Sequence, residues 1–213
     1  SDETIIIYGK IELNKNYTES DLNIMLKDLY STEFFSDIKI DIKNKELNIN
    51  IKEYPYVNQL VIVGEKTKNY INQIKKIIKL KEKRSFIDSY ISEDVEKIKN
   101  LYFSAGYNST KIEIKSKKLT DNSYDVLIEI DRGEKTKIKN IIFLGNKSIS
   151  NRRLQDVIAS QEHKFWKILT KNTNFTKNLL ELDTRLLRNY YKSSGFYDVK
   201  INSKSAQLSN TGE

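Results

Sequence analysis

Few side chains in this chain could carry out covalent chemistry. The single histidine, His163, stands beside Lys164 in an insertion with no carboxylate or second histidine at metal-ligand spacing, so it reads as a surface residue. The absence of cysteine excludes a thiol nucleophile, a disulfide frame and a Cys-type zinc site, and suits a reducing cytosol and a disulfide-free periplasmic protein equally well. Asp37 and Asp198 occupy equivalent positions of an internal repeat, which favours a turn or cap role over catalysis. No nucleophile–base pair, metal cluster or phosphate loop is visible, so neither an enzyme nor a cofactor is expected. Recognition is the chemistry left. Phe165, Trp166, Ile168 and Leu169 form an apolar cluster with two readings: packing on their own helix pair, which is favoured, or a partly exposed anchor for a partner.

Bulk properties narrow the class. A chain of 213 residues with 38% hydrophobic and 31% charged residues can hold one or two ordinary domains or several small ones. The longest apolar runs, at residues 5–8 and 141–144, fall far short of the roughly 20 residues a membrane-spanning helix needs. No charged-then-apolar leader is visible, so secretion is not read from these residues. The net charge of +8 raises nucleic acid or anionic lipid as a partner. Acidic residues are interspersed with the basic ones almost everywhere, and abundant Lys, Ile and Asn match AT-rich coding, so a solvated Lys/Glu surface is the favoured reading.

The elements that position these residues repeat. Residues 29–40 recur as 101–112 and again as 190–201: aromatics end a helix, a turn follows, Phe35, Tyr107 or Phe196 enters, and an alternating strand begins. Upstream, residues 60–64 match 141–145, each reading as a buried strand closed by Gly64 or Gly145. Tyr70, Ile71, Ile74, Ile77 and Ile78 have the spacing of one helix face, and Val95, Ile98, Leu101 and Tyr102 that of a second, with Ser92 as its expected N-cap and Glu93 and Asp94 as first-turn acids. In the first copy Thr18 and Asp21 frame a capping box, and Leu22, Leu26, Leu29 and Tyr30 form the face that follows. Ile38, Ile40 and Ile42, then Leu47, Ile49 and Ile51, alternate with polar residues as a hairpin with one wet face. The unit is strand, helix, helix, strand, strand. A module of about 80 residues is marginal alone, so short joints to its neighbours help fix the array. Those joints, and the expected hinges, lie at Tyr54 and Pro55 and at Arg132 and Gly133.

Taken together, these residues resemble the polypeptide-transport-associated (POTRA) domain, found in tandem ahead of outer-membrane β-barrels. The most specific stretch runs from Phe165 to Leu169, then Leu182 to Tyr191, then Gly195, Phe196, Tyr197, Asp198 and Val199; it is similar to the third module of BamA-type outer-membrane protein assembly factors. The first copy departs from the pattern, with Phe34 where Gly106 and Gly195 stand in the others. The expected fold is therefore α+β: three βααββ POTRA modules at 1–54, 55–133 and 134–213, each a three-stranded mixed sheet with two antiparallel helices on one face.

The resemblance implies the periplasmic part of an outer-membrane protein of a Gram-negative bacterium. Such a scaffold holds accessory lipoproteins, receives unfolded outer-membrane proteins and is attached to an outer-membrane β-barrel; no nucleic acid is expected. The physics agrees, because an open sheet edge lets an extended client add as another strand whatever its side chains. The expected edge residues are Thr110, Lys111, Ile112, Glu113, Ile114 and Lys115, with Val199, Lys200 and Ile201 in the last copy. A plain solvated edge, protected by its charges, is the other reading. Two rival functions are a KH-like single-stranded RNA-binding array and a sister translocation or secretion factor. Against the first, residues 79–84 lack the Gly-x-x-Gly loop that such modules need between their helices.

The repeat also predicts missing strands. Aligning Phe35 with Tyr107 places the partner of Gly64 before Ser1, so the first module lacks its first strand. Aligning Tyr107 with Phe196 places the partner of Tyr124 at Glu213, so the third lacks its last strand, which leaves a gap near residues 200–203.

Overall fold

The computed structural model describes residues 2–12, 15–44, 46–164 and 172–207. Contacts divide the chain into two compact units, Ser1–Lys97 with Ile112–Ile130, and Ile98–Lys111 with Asp131–Glu213.

The first unit opens with two helices and a hairpin. Helix α1 (Asp2–Tyr8) precedes α2 (Glu19–Ser31), whose start is set by the expected capping box: Thr18 Oγ1 accepts from the Asp21 amide and the Asp21 carboxylate accepts from the Thr18 amide. Strands β1 (Phe35–Lys43) and β2 (Glu46–Glu53) pair antiparallel, with Ile38 opposite Ile51, Ile40 opposite Ile49 and Ile42 opposite Leu47. Met25, Leu29, Phe35 and Ile38 are buried between helices and hairpin, each contributing about 2 kcal/mol of hydrophobic stabilisation. Two expectations change here. Met25 replaces Leu22 at the centre of the face, and Tyr30 is exposed, its hydroxyl accepting from the Ile38 amide. Leu29 to Phe35 spans one residue more than Tyr102 to Tyr107, and Glu33, at φ 60°, turns the chain where the other copies use glycine. Asp37 lies within β1 at an irregularity of its register, not in a turn.

The same unit continues with β3 (Tyr56–Val63), α3 (Lys68–Ile77), the start of α4 (Ser89–Ser104), β4 (Lys111–Lys118) and β5 (Ser123–Asp131). The strand order is β3-β5-β4, with β3 parallel to the central β5 and Leu60 beside Val126. Parallel neighbours require a crossover, which α3 and α4 supply. Val57, Ile74, Leu80, Phe86, Val126 and Ile128 are buried as the core. Gly64 is required at the end of β3: its φ is +86°, and a Cβ there would strike the Ile130 carbonyl.

Helix α4 begins one turn earlier than expected. Ser92 is inside it, its hydroxyl bonded to the Ser89 carbonyl, and is not the N-cap. Asp94 is consequently a buried residue of the second turn, 0% exposed, rather than a first-turn acid at the surface. Its carboxylate accepts from the Lys79 amide (2.8 and 2.9 Å) and the Leu80 amide (2.9 Å), holding the chain that leaves α3.

In the second unit, Ile98 and Tyr102 of α4 are fully buried, and the turn after them passes through Gly106 at φ +92°. Helices α5 (Asn151–Val157) and α6 (Lys177–Ser193) follow, each N-capped by a hydroxyl, from Ser150 and Thr176. Asp183 on α6 repeats the role of Asp94, from which it is 89 residues distant: its Oδ1 accepts from the Ala159 amide (2.8 Å) and the Ser160 amide (3.1 Å). Among the described residues of this unit, 131–164 and 172–207 contain no strand beyond the tip of β5 and an isolated bridge between Lys137 and Asn174. The expected strand at 141–144 is therefore not formed, and Ile142 and Leu144 are 75% and 90% exposed.

The aspartates generate a prediction. Asp94→Ala removes the acceptor of two loop amides and is expected to cost about 2–4 kcal/mol, with Asp94→Asn, which keeps one acceptor oxygen, costing less. Urea unfolding and hydrogen exchange at Lys79 and Leu80 read this directly; unchanged exchange at both amides in Asp94→Ala would contradict the role.

Candidate strand-docking edges

The β3-β5-β4 sheet has two margins, and they differ. On the β4 margin, Lys111, Glu113 and Lys115 are exposed and alternate with half-buried Ile112 and Ile114, as period two requires of a one-sided sheet. Thr110 is half-buried at the entry, and its hydroxyl lies 3.0 Å from the Arg132 carbonyl. Lys115 bonds Glu129 of β5 at 2.6 Å and reaches Glu113 at 3.5 Å; the hydrogen bond to Glu129 is the main reason its ammonium is held above the usual lysine value. Among the described residues no strand pairs with the outer edge of β4.

The β3 margin is covered. Val57 N–H donates to the Arg84 carbonyl (2.8 Å), Lys83 N–H to the Val57 carbonyl (2.8 Å) and Phe86 N–H to the Pro55 carbonyl (2.6 Å). Beyond them the Leu60 amide donates to Glu82 Oε1 at 3.1 Å. The second unit repeats the pattern: Ile138 N–H to the Thr173 carbonyl, His163 N–H to the Ile138 carbonyl and Phe175 N–H to the Thr136 carbonyl, each 2.7 Å. There the Ile141 amide donates to Glu162 Oε1 at 3.0 Å. The two copies differ in the chain between contacts. Lys83 and Arg84 are adjacent, whereas His163 and Thr173 are separated by residues 164–172. His163 thus serves through its backbone, and Phe165, Trp166, Ile168 and Leu169 lie outside the described residues.

The remaining expected residues are less concentrated. Val199 and Ile201 are half-buried and Lys200 is exposed, but the three form no strand. Asp198 lies in the turn before them, as its repeat position suggested. At the first joint, Tyr54 N–H donates to the Phe34 carbonyl at 2.9 Å and Pro55 accepts from Phe86. At the second, the Arg132 guanidinium lies 4.8 Å from the Tyr107 ring centroid, and Gly133 takes φ +65°. Near the first joint a cleft is lined by Glu33, Phe34, Lys79, Arg84 and Tyr90. Burial, with Glu33 second, pushes the Tyr90 hydroxyl far above its ordinary range, so it stays protonated. Among the described residues no group of His, Asp or Glu could hold a metal ion, and no helix is long and apolar enough to cross a membrane.

Residue-by-residue reading took Asp94 for a first-turn acid and assigned no role to Asp183, Glu82 and Glu162. The signal was the repeat itself, since an acid recurs at each position: Asp94 and Asp183 keep the 89-residue spacing of Tyr107 and Phe196, and Glu82 and Glu162 are 80 apart, before the insertion.

Comparison with known proteins shows the family of this chain. The POTRA family model (surface antigen variable number repeat) matches residues 55–133 and 136–213. The outer membrane protein assembly factor BamA of Neisseria meningitidis serogroup B is 27% identical over 201 residues, covering 93% of this chain and 25% of that protein. The BamA of Buchnera aphidicola is 26% identical over 199 residues, covering 92% of this chain and 32% of its own. The chain thus spans a quarter to a third of the length of these relatives. A crystal structure of Haemophilus influenzae BamA POTRA3-5 superposes with a TM-score of 0.44 at 15% identity, over 93% of this chain and 82% of that one. With two matches of the family model that together take in most of its length, this chain belongs to the POTRA family, and its curated relatives are outer membrane protein assembly factors.

Proposed function

We propose that this chain is the periplasmic POTRA region of a BamA-type assembly factor, a scaffold to which accessory lipoproteins and unfolded outer-membrane proteins dock by adding a strand to a sheet edge. The observation that carries the reading is the unpaired outer edge of β4, on a sheet whose other margin is covered. Docking through main-chain bonds tolerates any client that shares an alternating pattern, which is what a general assembly factor needs. Bending at Tyr54, Pro55, Arg132 and Gly133 would adapt the array to clients of different length.

The edge can be tested without unfolding the sheet. Leu119 N–H donates inward to the Ser123 carbonyl, so alternation along the ladder sends the Ser116 amide to the outer edge. Ser116→Pro removes that donor at an exposed position and is expected to weaken capture of an extended photo-crosslinkable peptide about tenfold, equivalent to about 1.4 kcal/mol, with helical content unchanged. Equal labelling of parent and variant would remove the β4 edge from the mechanism.

The same reading treats residues 2–53 as a further module without its first strand, and the C-terminal repeat as a module without its last. Three facts support it. The edge of β2 that corresponds to the β3-facing edge of β5 carries no strand among the described residues. Leu187 and Tyr191, the equivalents of fully buried Ile98 and Tyr102, are only half-buried. Ile142 and Leu144 are exposed on a segment that in the middle repeat lies against β5. An extended segment between residues 139–144 and 199–203 would supply partners for both. Its insertion from another molecule would imitate client capture rather than form a native dimer. The expected result is fast hydrogen exchange at Val199, Lys200, Ile201, Asn202 and Ser203 in dilute solution, or association on light scattering as concentration rises; a strict monomer with these amides protected would refute the missing strand.

A further inference from the structure

The geometry points to Glu82 as an edge guard: a carboxylate that closes the β3 margin to strand addition and so restricts docking in the middle module to β4, with Glu162 in the equivalent place on the amide of Ile141. The inference refines the docking reading above, but its readout lies on the opposite margin and is independent of it.

An open strand edge recruits another strand through alternate N–H and C=O groups. On β3 this series is interrupted along its length. Residues 55–57 are occupied by the returning loop through three backbone bonds, and the Leu60 amide is occupied by Glu82 Oε1. Glu82 does what a neighbouring strand's carbonyl would do, and its charge repels the carbonyl oxygens that an incoming strand must present at the same place. A partner is left with only residues 61–63, too short a run for stable pairing.

The arrangement recurs on an independent copy. Ile141 stands to Glu162 as Leu60 stands to Glu82, with bonds of 3.0 and 3.1 Å, although the loops that bear the two carboxylates differ by the residues inserted at 164–172. Among the described residues no other hydrogen bond or ion pair engages Glu82, which is exposed, so none of them accounts for its position. Glu162 is also 4.0 Å from the Lys164 ammonium, too long a pair to account for its placement. Burial does not explain either residue, and the shared element is the edge amide.

The test uses the whole chain with an extended photo-crosslinkable peptide of alternating Val and Thr, in the parent and in Glu82→Ala and Glu82→Gln. In Glu82→Ala the Leu60 amide should exchange at least about tenfold faster, and labels should appear on residues 58–63, where the parent has none. Glu82→Gln should fall between the parent and Glu82→Ala, because its amide oxygen still accepts the bond while its charge no longer repels an incoming carbonyl. In Glu162→Ala the Ile141 amide should likewise exchange faster. Faster Leu60 exchange without new labels on 58–63 would overturn the guard, as would Glu82→Gln behaving like Glu82→Ala. New labels on 58–63 would uphold it even if β4 is never labelled, the outcome that sinks the docking reading alone.

Discussion

The structure depends on one hydrogen-bonded contact, buried in the last two repeats: an aspartate of the second helix whose carboxylate accepts backbone amides from the chain between the two helices. Asp94 holds Lys79 and Leu80, and Asp183 holds Ala159 and Ser160. Asp21, 73 residues before Asp94, holds Thr18 from the corresponding segment, as a capping box rather than a buried clamp. A small sheet covered on one face by two helices has too little core to set the angle between them by packing alone. A carboxylate that takes up two amides at once fixes both where the first helix ends and how the second lies beside it. The loop that follows is thereby aimed at the edge of the first strand, where Arg84 and Phe86 meet Val57 and Pro55. Placement of Glu82 is a consequence of the same clamp, since it lies two residues beyond Leu80.

That ordering explains which parts of the fold were legible in the sequence. The Ile and Leu alternation of β1 and β2, the Thr18 capping box and the aromatic-to-glycine turns are local signals, and each corresponds to a formed element. Asp94 was misread because Ser92, Glu93 and Asp94 imitate a helix start. The real start lies a turn earlier, and what marks Asp94 as special is a partner 15 residues away. Residues 141–144 have the composition of a buried strand, but composition cannot supply the neighbour that makes a strand, and among the described residues none pairs with them. The N-terminal turn illustrates a third kind of limit: an added residue lets Glu33 adopt the left-handed conformation, which residue types alone would have assigned to glycine.

Glu82 was hidden for a different reason. It sits in the run of residues 79–84, where four cations surround one acid, and such runs ordinarily read as solvated surface. Its partner is a backbone amide, and backbone groups leave no trace in composition. The number of lysines is likewise a poor guide to function: Lys115 is engaged by Glu129 and Glu113, and Lys79 by Glu93, so these ammonium groups serve local pairs while the net charge of +8 stays unchanged. Exposed pairs of this kind contribute little stability, but they keep a β edge soluble while its amides remain free.

A scaffold for extended clients faces two opposed demands. It must leave one row of amides unpaired, or nothing can add to the sheet, and it must leave no second row, or the same clients and its own copies would cross-link it. On the docking reading proposed above, the middle repeat would meet both by asymmetry. Its helix-to-helix loop is folded back along one margin and tied there through backbone and carboxylate, while along the other margin the charged Lys111, Glu113 and Lys115 alternate with Ile112 and Ile114, standing off the sheet faces where they do not obstruct pairing. Because side chains alternate above and below a strand, Lys111, Glu113 and Lys115 can hydrate β4 without occupying its hydrogen-bonding edge. A guard must therefore come from outside the strand it protects, and the loop between the two helices is the element that the aspartate clamp already brings to that position.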